Sequence, residues 1–251
     1  MTSSEAESMT ALKEKFRRSR RWTVALVAIV VFLAIVVVAQ FLPGQSPTSA
    51  PPSGPAASAS SQPGQADEMP FVRREADDPM AIGDVDAPVV LTQWTDLRCP
   101  FCAVFSRDTL PALIEEYVET GLVRVEFHDV AFFGEQSEDA AVAARAAANQ
   151  GRFMEFATAI YDVAPEGAHA DLPRETLIDF AEQAGVPDIE QFTADLDDPA
   201  LREEAKASTL SAQQLGVNSV PFFVAGDTAL SGAQPLESFR QFLDASLEAA
   251  K

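Results

Sequence analysis

The two cysteines of this 251-residue chain stand together in Cys99-Pro100-Phe101-Cys102, directly after an apolar run. A disulfide between them would close a very small ring, so it would remove little conformational entropy from the unfolded chain. Such a bond is a poor structural cross-link but a suitable reversible two-electron switch. The motif therefore predicts a redox dithiol, in a fold that joins a strand to a helix at this loop.

The segments on both sides of the cysteines predict a strand, a helix and a second strand. Residues 88–94 are apolar and rich in β-branched side chains, which is typical of a buried strand. Residues 100–120 place apolar side chains at helical spacing, and Pro111 within them should kink the helix. Residues 122–127 then alternate as a strand does. The cysteine pair thus lies where the first strand meets the helix.

Cys99 is predicted to precede the first helical residue, Pro100, which suits that position because its missing N–H would have had no partner there. The free backbone N–H groups and the dipole at a helix N-terminus favour an anion, so they should lower the pKa of Cys99. Cys102 lies about one turn further on and should be more shielded. We therefore assign Cys99 as the nucleophile and Cys102 as the resolving thiol.

Two other interpretations of the cysteines are weaker. A zinc site needs about four ligands, and the available histidines, His128 and His169, are far from the pair in sequence. An inert disulfide would stabilise the fold very little. We therefore predict no metal site, and we expect surface or capping roles for both histidines.

Beyond the second strand the sequence predicts a long helical stretch followed by a hairpin and a final helix. The predicted helices cover residues 138–149, 152–163, 174–184, 189–195 and 198–215. A strand over residues 220–225 begins at Val220-Pro221. Because proline has no backbone N–H to donate to a neighbouring strand, its presence at the start of a strand needs an explanation. A turn connects this strand to a short partner over residues 228–231. Residues 235–250 form an amphipathic helix.

The N-terminal part of the chain predicts a membrane anchor. Residues 22–42 contain no charge and, as a helix, would cross the roughly 30 Å hydrocarbon core of a bilayer. Basic side chains cluster in residues 1–21, so the positive-inside rule places this tail in the cytoplasm and the rest outside. A signal peptide cleaved near Val37-Val38-Ala39 is the alternative. Residues 43–66 predict a disordered Pro/Ser/Ala-rich linker, and residues 67–251 one globular domain.

The charge of the chain excludes one class of partner. The sequence carries 38 acidic against 18 basic side chains, a formal net charge of −20. Because nucleic-acid binding needs clustered cations, nucleic acid is not expected as a partner. The acidity is expected mainly to keep the domain soluble.

Two motifs together carry a family resemblance. Cys99-Pro100-Phe101-Cys102 after a strand, followed much later by the segment Gly216-Val217-Asn218-Ser219-Val220-Pro221-Phe222-Phe223-Val224, resembles the DsbA-like branch of the thioredoxin superfamily. The resemblance covers about residues 70–250. It implies an α/β thioredoxin fold interrupted by a helical insertion at about residues 138–215. It also implies a cis Pro221 packed over the dithiol, with Val220 contacting substrate and helping to set the redox behaviour.

The chain departs from this family at two positions near the cysteines. Gln93 stands six residues before Cys99, where the family often has a buried acid, so the proton acceptor for the resolving thiol is not identified. Asp96 is nearer in sequence but is expected to face solvent. Phe101 replaces the histidine of strongly oxidising relatives, so Pro100 and Phe101 are expected to tune a milder oxidant.

The resemblance implies a membrane-anchored, extracytoplasmic thiol–disulfide oxidoreductase that needs no cofactor and acts on exported proteins through Cys99 and Cys102. We predict an oxidase, which implies reoxidation by a membrane redox partner, and a monomer. A reductase or isomerase on the same fold is an alternative. A binding or holdase module with incidental cysteines is another.

Overall fold

A computed structural model describes residues 69–251, so the predicted basic tail, membrane helix and linker lie outside the described residues. In the described part no helix has the length and apolar character needed to cross a bilayer. Its elements are β1 (Ala81–Ile82), β2 (Val89–Thr95), α1 (Pro100–Asp108), α2 (Leu110–Leu113), a π-helical segment (Ile114–Val118), β3 (Val123–Asp129), α3 (Glu135–Asn149), α4 (Phe153–Asp162), α5 (Arg174–Gln183), α6 (Ile189–Asp195), α7 (Pro199–Gln214), β4 (Phe222–Ala225), β5 (Thr228–Ser231) and α8 (Leu236–Ala249).

The strands form one mixed sheet in the order β1-β3-β2-β4-β5. The central strand β2 pairs parallel with β3 and antiparallel with β4, and all seven of its residues are buried. Parallel strands require a crossover connection, which α1, α2 and the π-helical segment provide. The cysteine motif therefore begins just beyond the carboxyl end of the most enclosed strand, which confirms the predicted α/β architecture around it.

Aromatic side chains fix α1 and the sheet relative to each other. The ring of Phe105 in α1 lies 4.6 Å from that of Phe223 in β4 and 5.0 Å from that of Phe239 in α8, between ring centroids. On the other face of the sheet, Trp94 packs against Phe71 and Phe222. Phe105 is fully buried, and truncating such a side chain typically costs about 3–5 kcal/mol. The helix that carries the cysteines is therefore anchored in the core.

The helices between β3 and β4 pack around α3. Residues 140–148 of α3 are buried except for Arg145, which is half-buried. Nearly all of these side chains are alanines, which let neighbouring helices approach closely. Helices α4, α6 and α7 pack against α3, and α4 also packs against α1. This last contact brings residues of the helical stretch to the cysteine motif.

The structure corrects two details of the sequence prediction. The helix predicted over residues 100–120, with a distortion at Pro111, is present but divided: it breaks at Thr109, two residues before Pro111, and continues as α2 and a π-helical segment. Pro111 consequently lies in the first turn of α2, where its missing N–H costs no hydrogen bond. Strand β1 was not predicted, since two residues are too short to show a period. The remaining predicted elements occur within a few residues of their predicted bounds.

Candidate active site

Cys99 is the N-cap residue of α1, and Pro100 is the first helical residue. The Cys99 backbone is extended, and its Sγ accepts a hydrogen bond from the backbone N–H of Cys102 at 3.4 Å. A side chain in this position satisfies a helix N–H that has no partner within the helix. Both cysteines are buried free thiols, so the structure describes the dithiol form of the pair.

The surroundings make the two thiols chemically unequal. The pKa of Cys99 is lowered, chiefly by a hydrogen bond from the Cys102 thiol and further by the backbone N–H groups of Cys102 and Phe101. Burial and the nearby carboxylate of Asp96 oppose this shift. The pKa of Cys102 is raised well above its ordinary value, first by burial and then by its interactions with Cys99. Cys99 is therefore the thiol of the pair that loses its proton more readily, and Cys102 is the one that keeps it.

The loop before β4 lies against Cys99. The Val220–Pro221 peptide bond is cis, and the Cys99 Sγ lies 3.4 Å from the carbonyl oxygen of Val220, to which the thiol donates a hydrogen bond. The loop is fixed by β4, which pairs with β2 so that Phe222 stands opposite Trp94. The cis peptide and the dithiol thus meet at one end of the sheet.

Next to the buried cysteines the surface offers an apolar contact and an open groove. The side chain of Phe101 is 60% exposed, although the cysteines on either side of it are buried. The groove has a volume of about 480 Å³ and its lining includes Phe101, Val104, Arg107, Asp108, Asp162 and Glu166. The site is therefore approached over a surface that is apolar at Phe101 and carries carboxylates at its rim.

Asp96 does not face solvent, so that expectation is wrong. Its carboxylate is buried and accepts hydrogen bonds from the backbone N–H of Phe132 at 2.8 Å, the backbone N–H of Arg98 at 2.9 Å and the hydroxyl of Ser137 at 3.0 Å. Burial raises its pKa, although these hydrogen bonds oppose the shift. Its contacts join the loop before Cys99 to the start of α3. The sequence could not show this, because burial of Asp96 depends on packing against a distant helix.

Gln93 is buried on β2, and its side chain points into the interior of the domain. Its Oε1 has no hydrogen-bond partner among residues 69–251. The side chain lines a small internal cavity together with Thr95 and Tyr161. A carboxamide does not take up a proton near neutral pH, so Gln93 cannot replace a buried acid as proton acceptor.

Thr95 and Tyr161 are site residues that the sequence analysis missed. The Thr95 Oγ1 lies 2.6 Å from the Tyr161 Oη, and the Tyr161 hydroxyl also donates to the backbone carbonyl of Asp96 at 3.3 Å. Hydrogen bonding to the Thr95 hydroxyl and to the backbone N–H of Asp96 opposes the rise in the pKa of Cys102 that burial causes. Thr95 ends β2, whereas Tyr161 comes from α4. Only the position of Thr95, just before the motif, could have signalled this contact from sequence.

The two histidines differ in burial and in their contacts. The sequence predicts a surface or capping role for His128, but this residue is half-buried within β3, with its ring 5.3 Å from that of Trp94. Burial and the charge of Arg73 lower its pKa to about 3, so it stays neutral. His169 is exposed, stacks on Phe133, and its Nδ1 lies 3.3 Å from the carbonyl oxygen of Arg98. The fold thus brings His169 close to the motif despite the sequence separation.

Comparisons with known proteins identify the family of this chain. The family model described as Thioredoxin matches residues 75–245. A Bacillus anthracis protein named "Probable disulfide bond formation protein D" is 31% identical over 153 residues, which cover 59% of this chain and 70% of that protein. The crystal structure of oxidised BdbD from Bacillus subtilis superposes with a TM-score of 0.63 at 21% identity, over 68% of this chain and 94% of that one. The crystal structure of Chlamydia trachomatis DsbA superposes with a TM-score of 0.59 at 19% identity, over 68% of this chain and 92% of that one. The chain therefore belongs to the thioredoxin family, among its DsbA-like protein thiol–disulfide oxidoreductases.

Proposed function

We propose that this protein is an extracytoplasmic oxidase that introduces disulfides into exported proteins through Cys99 and Cys102. The observation that carries the proposal is the inequality of the two thiols, with the pKa of Cys99 lowered and that of Cys102 raised. A thiolate of low pKa is a good leaving group in thiol–disulfide exchange. An environment that stabilises the Cys99 thiolate therefore stabilises the reduced protein and makes the oxidised protein a better oxidant.

The reaction starts from the oxidised pair. A substrate thiolate attacks the Cys99 Sγ, a substrate–Cys99 disulfide forms, and the Cys99–Cys102 bond breaks with its electron pair passing to Cys102, which then takes up a proton. A second substrate thiolate attacks the substrate sulfur of this mixed disulfide and displaces Cys99 as a thiolate. Two electrons have then moved from the substrate dithiol to the enzyme. Cys99 is the attacked sulfur because it lies at the helix N-terminus, whereas Cys102 lies inside α1, is completely buried and has a raised pKa.

We assign the remaining predicted site residues to substrate contact and tuning. The Val220 carbonyl lies beside the Cys99 sulfur, so Val220 and the cis Pro221 are placed to contact a substrate bound there. Phe101 is exposed next to the pair and offers an apolar contact to an unfolded substrate. Pro100 starts α1 and so fixes the helix end that faces Cys99.

The proposed location rests on residues 1–66, which precede the described part of the chain. The uncharged segment 22–42 and the basic residues before it support an anchor with the catalytic domain outside the cytoplasm. Such a tether would hold the domain near a membrane redox partner at a raised effective concentration. Resistance of the protein to alkaline extraction from membranes, together with its digestion by protease added outside intact cells, tests this placement. Recovery in the soluble fraction, or protection from protease, contradicts it.

Thiol trapping in cells tests the oxidase role directly. Living cells are quenched in acid, free thiols are alkylated with a mass-shifting reagent, and the forms of the full-length chain are separated. An oxidase is expected to hold Cys99 and Cys102 mostly as a disulfide, whereas mostly free thiols would contradict the role and favour a reductase. Cys99→Ser distinguishes an oxidase from a holdase. With this substitution an oxidase no longer forms disulfides in reduced substrates, whereas a holdase keeps its binding activity.

A further inference from the structure

An open groove of about 480 Å³ starts at the redox motif and follows α1. One wall is formed by residues of α1, from Pro100 to Asp108. The other wall is the end of α4 and the loop after it, from Asp162 to Gly167. Because Pro100 and Phe101 stand between the two cysteines and line the groove, a polypeptide whose sulfur reaches Cys99 has this groove beside it.

The two most exposed large apolar side chains of the described residues lie at this groove. Phe101 is 60% exposed, and Val163 is 66% exposed. Phe101 belongs to the α1 wall, and Val163 stands between Asp162 and Ala164, which line the opposite wall. Clustered apolar side chains at a surface mark an interaction site. Their position on both walls, next to a redox pair, indicates an extended polypeptide segment as the occupant.

Three carboxylates also line the groove, those of Asp108, Asp162 and Glu166. All three residues are exposed. None of them forms a hydrogen bond or an ion pair with another residue in the range 69–251. The groove therefore offers several acceptors and a negative charge to whatever lies in it.

The ends of two helices add to this negative potential. Helix α1 ends at Asp108 and helix α4 at Asp162. The carboxyl end of a helix carries a partial negative charge, so a carboxylate there is unfavourable for the fold and favours a nearby cation. Arg107 in the groove donates from its Nη1 to the carbonyl oxygens of Tyr161 at 2.5 Å and Ala164 at 3.4 Å. This guanidinium offsets the charge at the end of α4 and leaves the carboxylates in excess.

We propose that the groove binds the segment of an exported polypeptide that flanks its reacting cysteine, and that it selects segments carrying a lysine or arginine. The inference rests on the exchange at Cys99 and Cys102 proposed above and names a substrate class for it. Apolar side chains of the segment pack against Phe101, and its cation lies among the three carboxylates. A carboxylate of the substrate would instead be repelled at the same place.

The length of α1 determines where the cation must stand in the substrate. From Phe101 to Asp108 the helix rises by about 10 Å, at about 1.5 Å per residue. An extended polypeptide advances by about 3.3 Å per residue. The cation is therefore expected about three residues from the reacting cysteine, and a cation much further away should gain little from the groove.

Oxidation of synthetic dithiol peptides by the oxidised full-length chain tests this selectivity. Both peptides carry two cysteines flanked by apolar residues, blocked ends and two lysines. In the near peptide each lysine stands three residues from a cysteine, and in the far peptide roughly eight, a spacing that exceeds the length of the α1 wall. Each peptide loses two electrons and two protons, which the Cys99–Cys102 disulfide gains, and acid quenching with alkylation gives the rate by mass spectrometry.

The near peptide is expected to be oxidised about fivefold faster than the far peptide at low ionic strength. The two peptides have the same net charge, so the overall acidity of the protein cancels in this near-to-far ratio. The ratio should fall below about twofold in about 0.5 M salt, because salt screens exposed charges. It also cancels any general change in the reactivity of Cys99.

Two pairs of substitutions make the result specific. Asp162→Asn together with Glu166→Gln removes two carboxylates of the groove and should lower the ratio below about twofold. Glu203→Gln together with Asp227→Asn makes the same change in net charge outside the groove and should keep the ratio near fivefold. Glu203 lies on α7 and Asp227 in the turn between β4 and β5, and both are exposed. Exposed substitutions of this kind leave the fold intact.

A near-to-far ratio of about one in the unchanged protein overturns the inference, and so does a ratio that the groove substitutions leave unchanged. An equal loss in both pairs of substitutions would assign the preference to overall charge and overturn it too. A dimer that the groove substitutions dissociate, with the ratio unchanged, would assign the groove to a second copy of the chain. The proposed oxidase fails in a different way, because then the unchanged protein would oxidise neither peptide.

Discussion

Phe101→His is the substitution that tests how the helix N-terminus controls the redox behaviour of this protein. Phe101 lies between the two cysteines, its backbone N–H helps to lower the pKa of Cys99, and its side chain is 60% exposed. An imidazolium at this position would add a positive charge beside the Cys99 thiolate. The charge stabilises the thiolate and therefore the reduced protein, so the oxidised protein becomes a stronger oxidant.

The size of the effect follows from the exposure of the side chain. A charge near a helix terminus typically contributes about 0.3–1 kcal/mol at an exposed site, because solvent screens it. Stabilising the reduced form by about 1 kcal/mol raises a two-electron reduction potential by about 20 mV. The same energy lowers the pKa of Cys99 by about 0.7 unit.

Equilibration of the full-length protein with glutathione buffers measures the potential, with Phe101→Leu as a control that keeps an apolar side chain. The difference between Phe101→His and Phe101→Leu needs a protonated ring and a Cys99 thiolate together, so it should shrink as the pH rises above about 6.5, the ordinary imidazole pKa, and the ring loses its proton. An unchanged or lower potential in Phe101→His would refute the reasoning. So would an equal rise in Phe101→Leu.

Three further predictions concern individual side chains of the site. Cys102→Ser should accumulate a mixed disulfide between Cys99 and a substrate or glutathione, which mass spectrometry detects; its absence would contradict the assigned roles. Asp96→Ala should destabilise the domain by about 2–4 kcal/mol, because the N–H groups of Phe132 and Arg98 lose their acceptor, and an unchanged urea midpoint would contradict the described contacts. Gln93→Glu should give a carboxyl group with a raised pKa, since the position is buried; while protonated it can donate to the departing Cys102 sulfur, so reduction by dithiothreitol, compared with the unchanged protein at each pH, should be faster below that pKa and lose this gain above it, and a rate ratio that does not vary with pH would contradict this.

The active-site motif could be predicted from sequence because its determinants are local. Neighbouring residues alone predict a buried strand, a helix that starts at Pro100 and two cysteines one turn apart. Together these features make the two thiols chemically unequal. The cis peptide before Pro221 has a different origin. It is the family resemblance that pointed to it, since an X-Pro bond in an arbitrary sequence is trans in most cases.

The contacts around Cys102 could not be predicted in this way. Tyr161 reaches Thr95 only because α4 packs against α1, and no local pattern marks one buried tyrosine as different from another. Asp96 looked solvent-facing because an acidic residue in a loop usually is. Its burial depends on one backbone N–H and one hydroxyl supplied by a segment more than thirty positions away. Long-range packing, rather than local sequence preference, determines these parts of the site.

The central claim is that the two thiols differ, with the pKa of Cys99 lowered and Cys102 buried and protected. The reduced full-length protein is alkylated with limiting iodoacetamide over a range of pH, and each cysteine is followed by peptide mass spectrometry. We predict that Cys99 reacts with a midpoint below the ordinary cysteine pKa of about 8.5, while Cys102 stays unmodified throughout that range. Equal reaction of the two cysteines, or faster modification of Cys102, would contradict the account.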